Sequence, residues 1–238
     1  MQVPDDYPTF NAFFTRSLKT GARALPAQPL TITSPVDGTI SQVGTIDNGT
    51  LLQAKGYRYG VAELLGDAEV SHVFDGGVFA TIYLAPYNYH RIHMPVSGNL
   101  EEMRYVPGRL FSVNGATVAS VPRLFSRNER VVCRFGTLAG PMAIVLVGAL
   151  NVGSIETVWA GEIAPASPRQ PSVRRYRRGS VHLARGRELG RFNMGSTVIL
   201  LFAPDRVLLD NNLESGGALR MGQPMATMTP PSQVSDST

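Results

Sequence analysis

Apolar residues recur along this chain at two different spacings. Phe10, Phe13, Phe14 and Leu18 fall three or four residues apart after Pro8-Thr9. That is one face of a helix, and Thr9 in front of it can cap the free amides of the first turn. Beyond it the apolar runs are short and rich in branched residues, which predicts strands. Residues 38–46 lead into Asp47-Asn48-Gly49 and then Thr50-Leu51-Leu52-Gln53. An Asn-Gly pair between apolar runs predicts a hairpin. Residues 61–65 predict one or two helical turns. Further strands are predicted at 78–84, 100–106, 130–135, 143–150, 155–160, 197–202 and 206–209. Gly and Pro interrupt them at short intervals, as in a compact β-sandwich or barrel. Pro35-Val36-Asp37-Gly38-Thr39-Ile40 is echoed by Pro95-Val96-Ser97-Gly98-Asn99-Leu100, which hints at a duplicated β-unit. From about Thr229 the chain is polar and predicts a disordered tail.

The length of 238 residues suffices for one substantial domain, read as 1–238. The longest apolar runs, Met142 to Leu150 and Val198 to Ala203, fall well short of the roughly 18 residues of a membrane span. The N-terminus has neither the basic nor the apolar region of a signal peptide. With Cys133 as the single cysteine, no internal disulfide and no cysteine-based metal site is expected. A reduced, intracellular chain with a buried Cys133 follows. The net charge of +4 is uneven. Arg169, Arg174, Arg175, Arg177, Arg178, Arg185, Arg187 and Arg191 crowd one segment. Such a segment is either a solvated loop or a surface for phosphate groups. It lacks the interleaved aromatics of a single-strand binder, so lipid headgroups are expected and nucleic acid is not.

Three segments carry candidate chemistry. Gly195-Ser196 opens a late apolar run. A serine can attack the carbonyl before it where glycine permits a compressed turn, given a base for the hydroxyl and donors for the oxyanion. Gly-Ser is common, however, and Gly153-Ser154 and Gly179-Ser180 stand in the same chain. His90-Arg91-Ile92-His93 places two imidazoles on opposite faces if extended and on one face if helical. Buried, satisfied histidines are an equal alternative. Asp37 in Val-Asp-Gly reads either as a turn aspartate or as the group that orients an imidazole.

Taken together, these segments resemble one family. PTFNAFFTRSL, SPVDGTISQVG, LLQAKG, YLAPYNYHRIHMPVSG, YVPGRLFSVN, LFSRNERVVC, VGALNVGSIETVWAG, LGRFNMGSTVILLFAP and GQPMA appear in order between Tyr7 and Met228. They are similar to segments of the bacterial, membrane-associated, pyruvoyl-dependent phosphatidylserine decarboxylases. The resemblance implies a mainly β fold with a short N-terminal helix, a compact duplicated barrel-sandwich of the duplicated-hybrid-motif kind. It also implies a self-processing triad of Asp37, His93 and Ser196. Ser196 attacks the Gly195 carbonyl, an ester forms, and elimination with loss of ammonia leaves a covalent pyruvoyl cofactor and Schiff-base centre at residue 196. The products are a β chain of 1–195 and an α chain of 196–238 that stay associated. His90 is implied as the proton donor in decarboxylation, and Ser112 as a substrate contact, with a locally satisfied loop hydroxyl as its plainer reading.

The expected reaction takes phosphatidylserine to phosphatidylethanolamine and CO2, with no metal, at the cytoplasmic face of a bacterial membrane as a peripheral protein. A homodimer is left open. Met194 stands where the family has leucine, a swap that conserves volume. Family members usually carry a membrane-binding region before the first motif. Here the motifs begin at Tyr7, so either that region has been removed or the first helix and the arginine segment meet the lipid. Three alternatives compete. One is a decarboxylase of another serine-headgroup lipid. Another is a metallopeptidase using His90, His93 and Asp37 as ligands. The last is a lipoyl-like binding module built on SGGALRMGQPMATM, which lacks a lysine to modify.

Overall fold

The computed structural model describes residues 6–150, 154–164, 170–193 and 196–229. The first helix is α1 (Phe10–Phe14), and the Thr9 side chain accepts the Ala12 amide at 3.1 Å, as its position predicts. Strands β1 (Thr31–Thr33), β2 (Gly38–Thr45), β3 (Thr50–Ala54) and β4 (Tyr57–Gly60) follow, then helices α2 (Val61–Leu65) and α3 (Ala68–Ser71). Next come β5 (Val78–Leu84), β6 (Arg91–His93), β7 (Gly98–Val106), α4 (Gly115–Val118), α5 (Leu124–Arg127), β8 (Arg130–Thr137) and β9 (Gly140–Gly148). The chain continues through β10 (Ile155–Thr157), β11 (Gly161–Ala164), β12 (Ser172–Arg175), β13 (His182–Leu183) and β14 (Glu188–Phe192). It ends with β15 (Ser196–Phe202), β16 (Val207–Leu209), β17 (Ala218–Leu219) and β18 (Pro224–Met228). No described helix is long and apolar enough to cross a membrane.

The Asn-Gly turn forms as expected, with Asn48 at φ 50° and Gly49 at φ 65° and an Asp47–Thr50 bridge. The two strands then part. β3 pairs with β4 around a second turn at Lys55-Gly56, while β2 pairs with β5. Burial decides this. Leu51 and Tyr59 enter one core cluster and Ile40 enters another, on the far side of the main sheet.

That sheet runs β12-β7-β8-β9-β15-β5-β2-β17, with β13 also on β7. β15 lies between β9 and β5, and all seven of its residues are buried. Val198 and Leu200 pack in the first core, Ile199 and Leu201 in the second. A strand covered on both faces reads as an unbroken apolar run. Burying Val198 to Phe202 contributes on the order of 10 kcal/mol as an upper bound.

The faint sequence echo is a structural duplication. Thr33 N–H donates to the Pro95 carbonyl (3.0 Å), and His93 N–H donates to the Pro35 carbonyl (2.9 Å). Ser34 N–H meets the Gln223 carbonyl and Gly222 N–H the Ser34 carbonyl; Met94 and the turn at Gly186-Arg187 repeat both bonds. β17 lies on the start of β2 as β13 lies on the start of β7. β18 pairs with β1 as β14 pairs with β6. Two β-units therefore face each other, and each is completed by a strand pair from later in the chain.

Candidate functional site

Asp37 sits just before β2. A Cβ at Gly38 would stand 2.5 Å from the Tyr83 carbonyl oxygen, so only glycine lets the chain approach β5 this closely. Asp37 is not a turn aspartate. Its Oδ1 accepts the distant Met221 amide at 2.8 Å, and its Oδ2 accepts from Arg23 at 2.6 Å in an ion pair.

Ser196 opens β15, opposite Leu84 of β5 and Gly148 of β9. Thr39 of β2 lies opposite Tyr83. Ser196, Leu84 and Gly38 thus form one row across three strands, about 10 Å wide at the usual strand spacing. The Ser196 hydroxyl is fully buried and has no hydrogen-bond partner among the described residues.

The histidines come from the approach to β6. The Phe192 amide donates to the His90 carbonyl, which ties this segment to the chain four residues before Ser196. His90 Nδ1 lies 2.9 Å from the Asn88 carbonyl. A carbonyl only accepts, so Nδ1 carries the proton and Nε2 is a bare lone pair, buried and without a partner among the described residues. The Phe14 ring covers the imidazole, with centroids 3.9 Å apart. Burial pushes its pKa down to about 4, opposed by the Asn88 carbonyl and aided by Arg16. Near neutral pH His90 therefore presents a lone pair rather than a proton, and must receive a proton before it can give one.

His93 Nδ1 lies 2.8 Å from the Gly186 carbonyl, so it too donates. Its Nε2 then accepts from the Tyr89 hydroxyl at 2.9 Å. Gly186 has φ +79°, and the Leu25 side chain leaves no room for a Cβ there. Burial lowers the His93 pKa; the Gly186 carbonyl and the Glu188 and Asp37 carboxylates pull it up, while Arg91 adds to burial.

The fold therefore gathers Asp37, His90, His93 and Ser196 around one end of the sheet, but joins no two of them by a hydrogen bond among the described residues. Ser112 stays apart. It lies between β7 and α4, and among the described residues its hydroxyl takes a long local bond from the Asn114 amide (3.5 Å). Met194 and Gly195, the other half of the expected cleavage site, lie outside the described residues, as do 230–238 of the expected tail. Asn193 is described. Its amide donates to the Ser154 carbonyl (2.9 Å), its side chain donates to the Ser154 hydroxyl, and Asn11 of α1 reaches its Oδ1 at 3.4 Å. Asn193 is thus held from two sides, by Ser154 and by Asn11. Arg23, Tyr89, Ser154, Gly186 and Asn193 were not legible as site residues. The one available signal was misleading, because Gly153-Ser154 looked like an incidental Gly-Ser.

The metallopeptidase alternative finds no ligand set. No three His, Cys, Asp or Glu side chains converge among the described residues, and both nitrogens of His93 are engaged. The lipoyl-like hairpin does not exist as a unit, since β17 and β18 belong to different sheets. Cys133 is buried, and burial pushes its thiol pKa up, as expected for an inert core residue.

The arginine segment divides. Arg185 donates to the Pro26, Gln28 and Thr31 carbonyls, Arg191 pairs with Glu156, and Arg175 reaches Glu102. Arg174 on edge strand β12, Arg177 and Arg178 just after it, and Arg187 in the turn before β14 are exposed, and Arg169 lies outside the described residues.

Comparison with known proteins agrees with the motifs. The profile of the phosphatidylserine decarboxylase family matches residues 10–227. The phosphatidylserine decarboxylase proenzyme of Ectopseudomonas mendocina (strain ymp) is 56% identical over 220 residues, covering 91% of this chain and 77% of that protein. The proenzyme of Pseudomonas aeruginosa (strain LESB58) is 55% identical over 224 residues, covering 92% and 77%. With a matching profile across most of its length and relatives this similar, the chain belongs to the phosphatidylserine decarboxylase family.

Proposed function

We propose that this chain is the precursor of a phosphatidylserine decarboxylase that cuts itself between Gly195 and Ser196. The observation that carries this reading is the Ser196 hydroxyl: fully buried, without a partner among the described residues, at the head of a strand paired on both sides. A buried hydroxyl left unbonded costs about 1–3 kcal/mol, and such groups concentrate where chemistry needs them. Ser196 attacks the Gly195 carbonyl, with His93 as base and Asp37 acting on His93 through its charge. Asn193, held by Ser154, keeps the preceding chain in place.

A pyruvoyl group fits residue 196, because β15 would hold the new N-terminus between β9 and β5; its carbonyl supplies an electron sink for the pair released as CO2 leaves. His90 Nε2 accepts a proton from the lipid's ammonium group and returns one to the carbon that loses CO2. The α piece contributes β15, β16, β17 and β18, each paired with β-chain strands or with one another, which supports two chains that remain together. Arg174, Arg177, Arg178 and Arg187 are proposed to meet an anionic lipid surface.

Intact mass and a denaturing gel test the central claim. Two chains, 1–195 and 196–238, are expected, together with release of CO2 from phosphatidylserine vesicles. A single full-length chain that still decarboxylates would overturn it. A panel of serine-headgroup lipids would identify the lipid.

A further inference from the structure

His93 has one lone pair available for base chemistry, and it is occupied. The Gly186 carbonyl accepts from Nδ1 at 2.8 Å, so the proton of the neutral ring sits there and the lone pair lies on Nε2. The Tyr89 hydroxyl lies 2.9 Å from that Nε2 and can only be the donor. The two rings stack with centroids 5.7 Å apart at 28°. Tyr89 is 4% exposed. Burial is the main cause that pushes its pKa up to about 12, so it remains a donor at any physiological pH. A backbone hydrogen bond from Leu18 opposes that shift only in part. Meanwhile the hydroxyl that would use this base, on Ser196, has no hydrogen-bond partner among the described residues.

With His93 as the base for Ser196, two hydroxyls would share a single lone pair, and in this structure Tyr89 holds it. We propose that Tyr89 is a positioning residue that restrains self-cleavage: it fixes the His93 ring and masks Nε2, and cleavage proceeds only when the Ser196 hydroxyl displaces it. This rests on the reading of His93 as the maturation base. The step requires no outside reagent. The Ser196 proton goes to Nε2, the Tyr89 hydroxyl turns away with its proton retained, and the Ser196 oxygen bonds to the Gly195 carbonyl carbon while the C=O π pair moves onto its oxygen. Re-forming the carbonyl then breaks the C–N bond, and Nε2 returns the proton to the Ser196 nitrogen, leaving the ester.

The test is Tyr89→Phe, which keeps the ring stacked on His93 and removes only the hydroxyl. Freshly synthesised precursor is followed over time by denaturing gel, beside wild type and His93→Ala. A net hydrogen bond of ordinary strength corresponds to roughly two- to tenfold in rate, so the Phe variant should mature faster by about that factor. Damage to packing slows a reaction and does not imitate this acceleration. A second readout uses uncleavable Ser196→Ala precursor, with the His93 ring followed by NMR against pH. Losing a donor to Nε2 disfavours the neutral ring, so Tyr89→Phe should raise the His93 pKa. Cleavage no faster than wild type, or an unchanged His93 pKa, overturns the restraint while leaving the base assignment intact. Absence of cleavage in wild type, or wild-type speed in His93→Ala, overturns the reading beneath it.

Discussion

The two β-units share a backbone scheme but differ in what they carry. At corresponding places a side chain before a glycine accepts an amide from the completing strand pair: Asp37 from Met221 at 2.8 Å, and Ser97 from Arg185 at 2.9 Å. That bond belongs to the fold, because a neutral serine makes it as well as a carboxylate does. What the first unit adds is the second carboxylate oxygen, held by Arg23. The second unit adds an imidazole, since His93 stands where the first has Thr33, and both donate their amides across the pseudo-twofold. Each unit thus contributes one polar group that its partner lacks, and the duplication brings the two groups together. Symmetry builds the frame, and departures from symmetry supply the candidate groups.

The largest effect removes the chemistry and leaves both units. Ser196→Ala should give one uncleaved chain with no decarboxylase activity, and two bands from that variant would refute the assignment. Next, Asp37→Asn and Ser97→Ala separate the shared bond from the unshared charge. Asparagine can still accept the Met221 amide, so its fold should hold while maturation slows by about 10² to 10⁴, the usual worth of acid–base assistance. Ser97→Ala should cost about 1 kcal/mol of stability and change maturation within about twofold, because the backbone bonds of Met94 still hold the Gly186 turn. Equal maturation rates for the two variants would dissolve the distinction.

A smaller effect concerns His90, buried beside the second unit. Its pKa falls from 6.5 to about 4 on folding, so the unfolded chain binds more protons between those values. The stabilisation is complete above pH 6.5 and is lost as pH falls toward 4, by about 3 kcal/mol at most. Denaturant unfolding of Ser196→Ala precursor across that window should show the loss. His90→Asn, which keeps a donor for the Asn88 carbonyl, should flatten it, and an unchanged slope would assign it elsewhere. The smallest effect tests β12, an edge strand on β7 with no counterpart on β2. Neutralising Arg177 and Arg178 should weaken co-sedimentation with anionic vesicles by roughly tenfold at low salt, given about 1 kcal/mol per charge at most, and should leave maturation unchanged. Binding indifferent to both salt and substitution would move the lipid contact off this arm.

Much of this was legible from local pattern. The helix at Phe10, the Asn-Gly turn, strands such as 78–84 and 197–202, and the echo of Pro35 to Ile40 in Pro95 to Leu100 follow from side-chain period and turn chemistry, which neighbours along the chain decide. Some short strands were legible, as at 155–157 and 207–209, and others were not. β6, β12 and β14 carry charged residues and β18 is a short Pro-Met-Ala-Thr-Met run, and they are strands because they pair with partners elsewhere in the chain.

The candidate chemistry divides the same way. Residue identity and motif order single out Asp37, His90, His93 and Ser196, because the reaction requires a carboxylate, an imidazole and a hydroxyl beside glycine. Their resting partners are long-range contacts. Arg23 finds Asp37, Gly186 finds His93 Nδ1, and Asn193 finds Ser154. No local spacing encodes these, since each joins segments that become neighbours only when the two units close on each other. Which nitrogen of His93 carries its proton, and whether His90 is charged, are likewise properties of burial and carbonyl placement, and only the tertiary structure decides them.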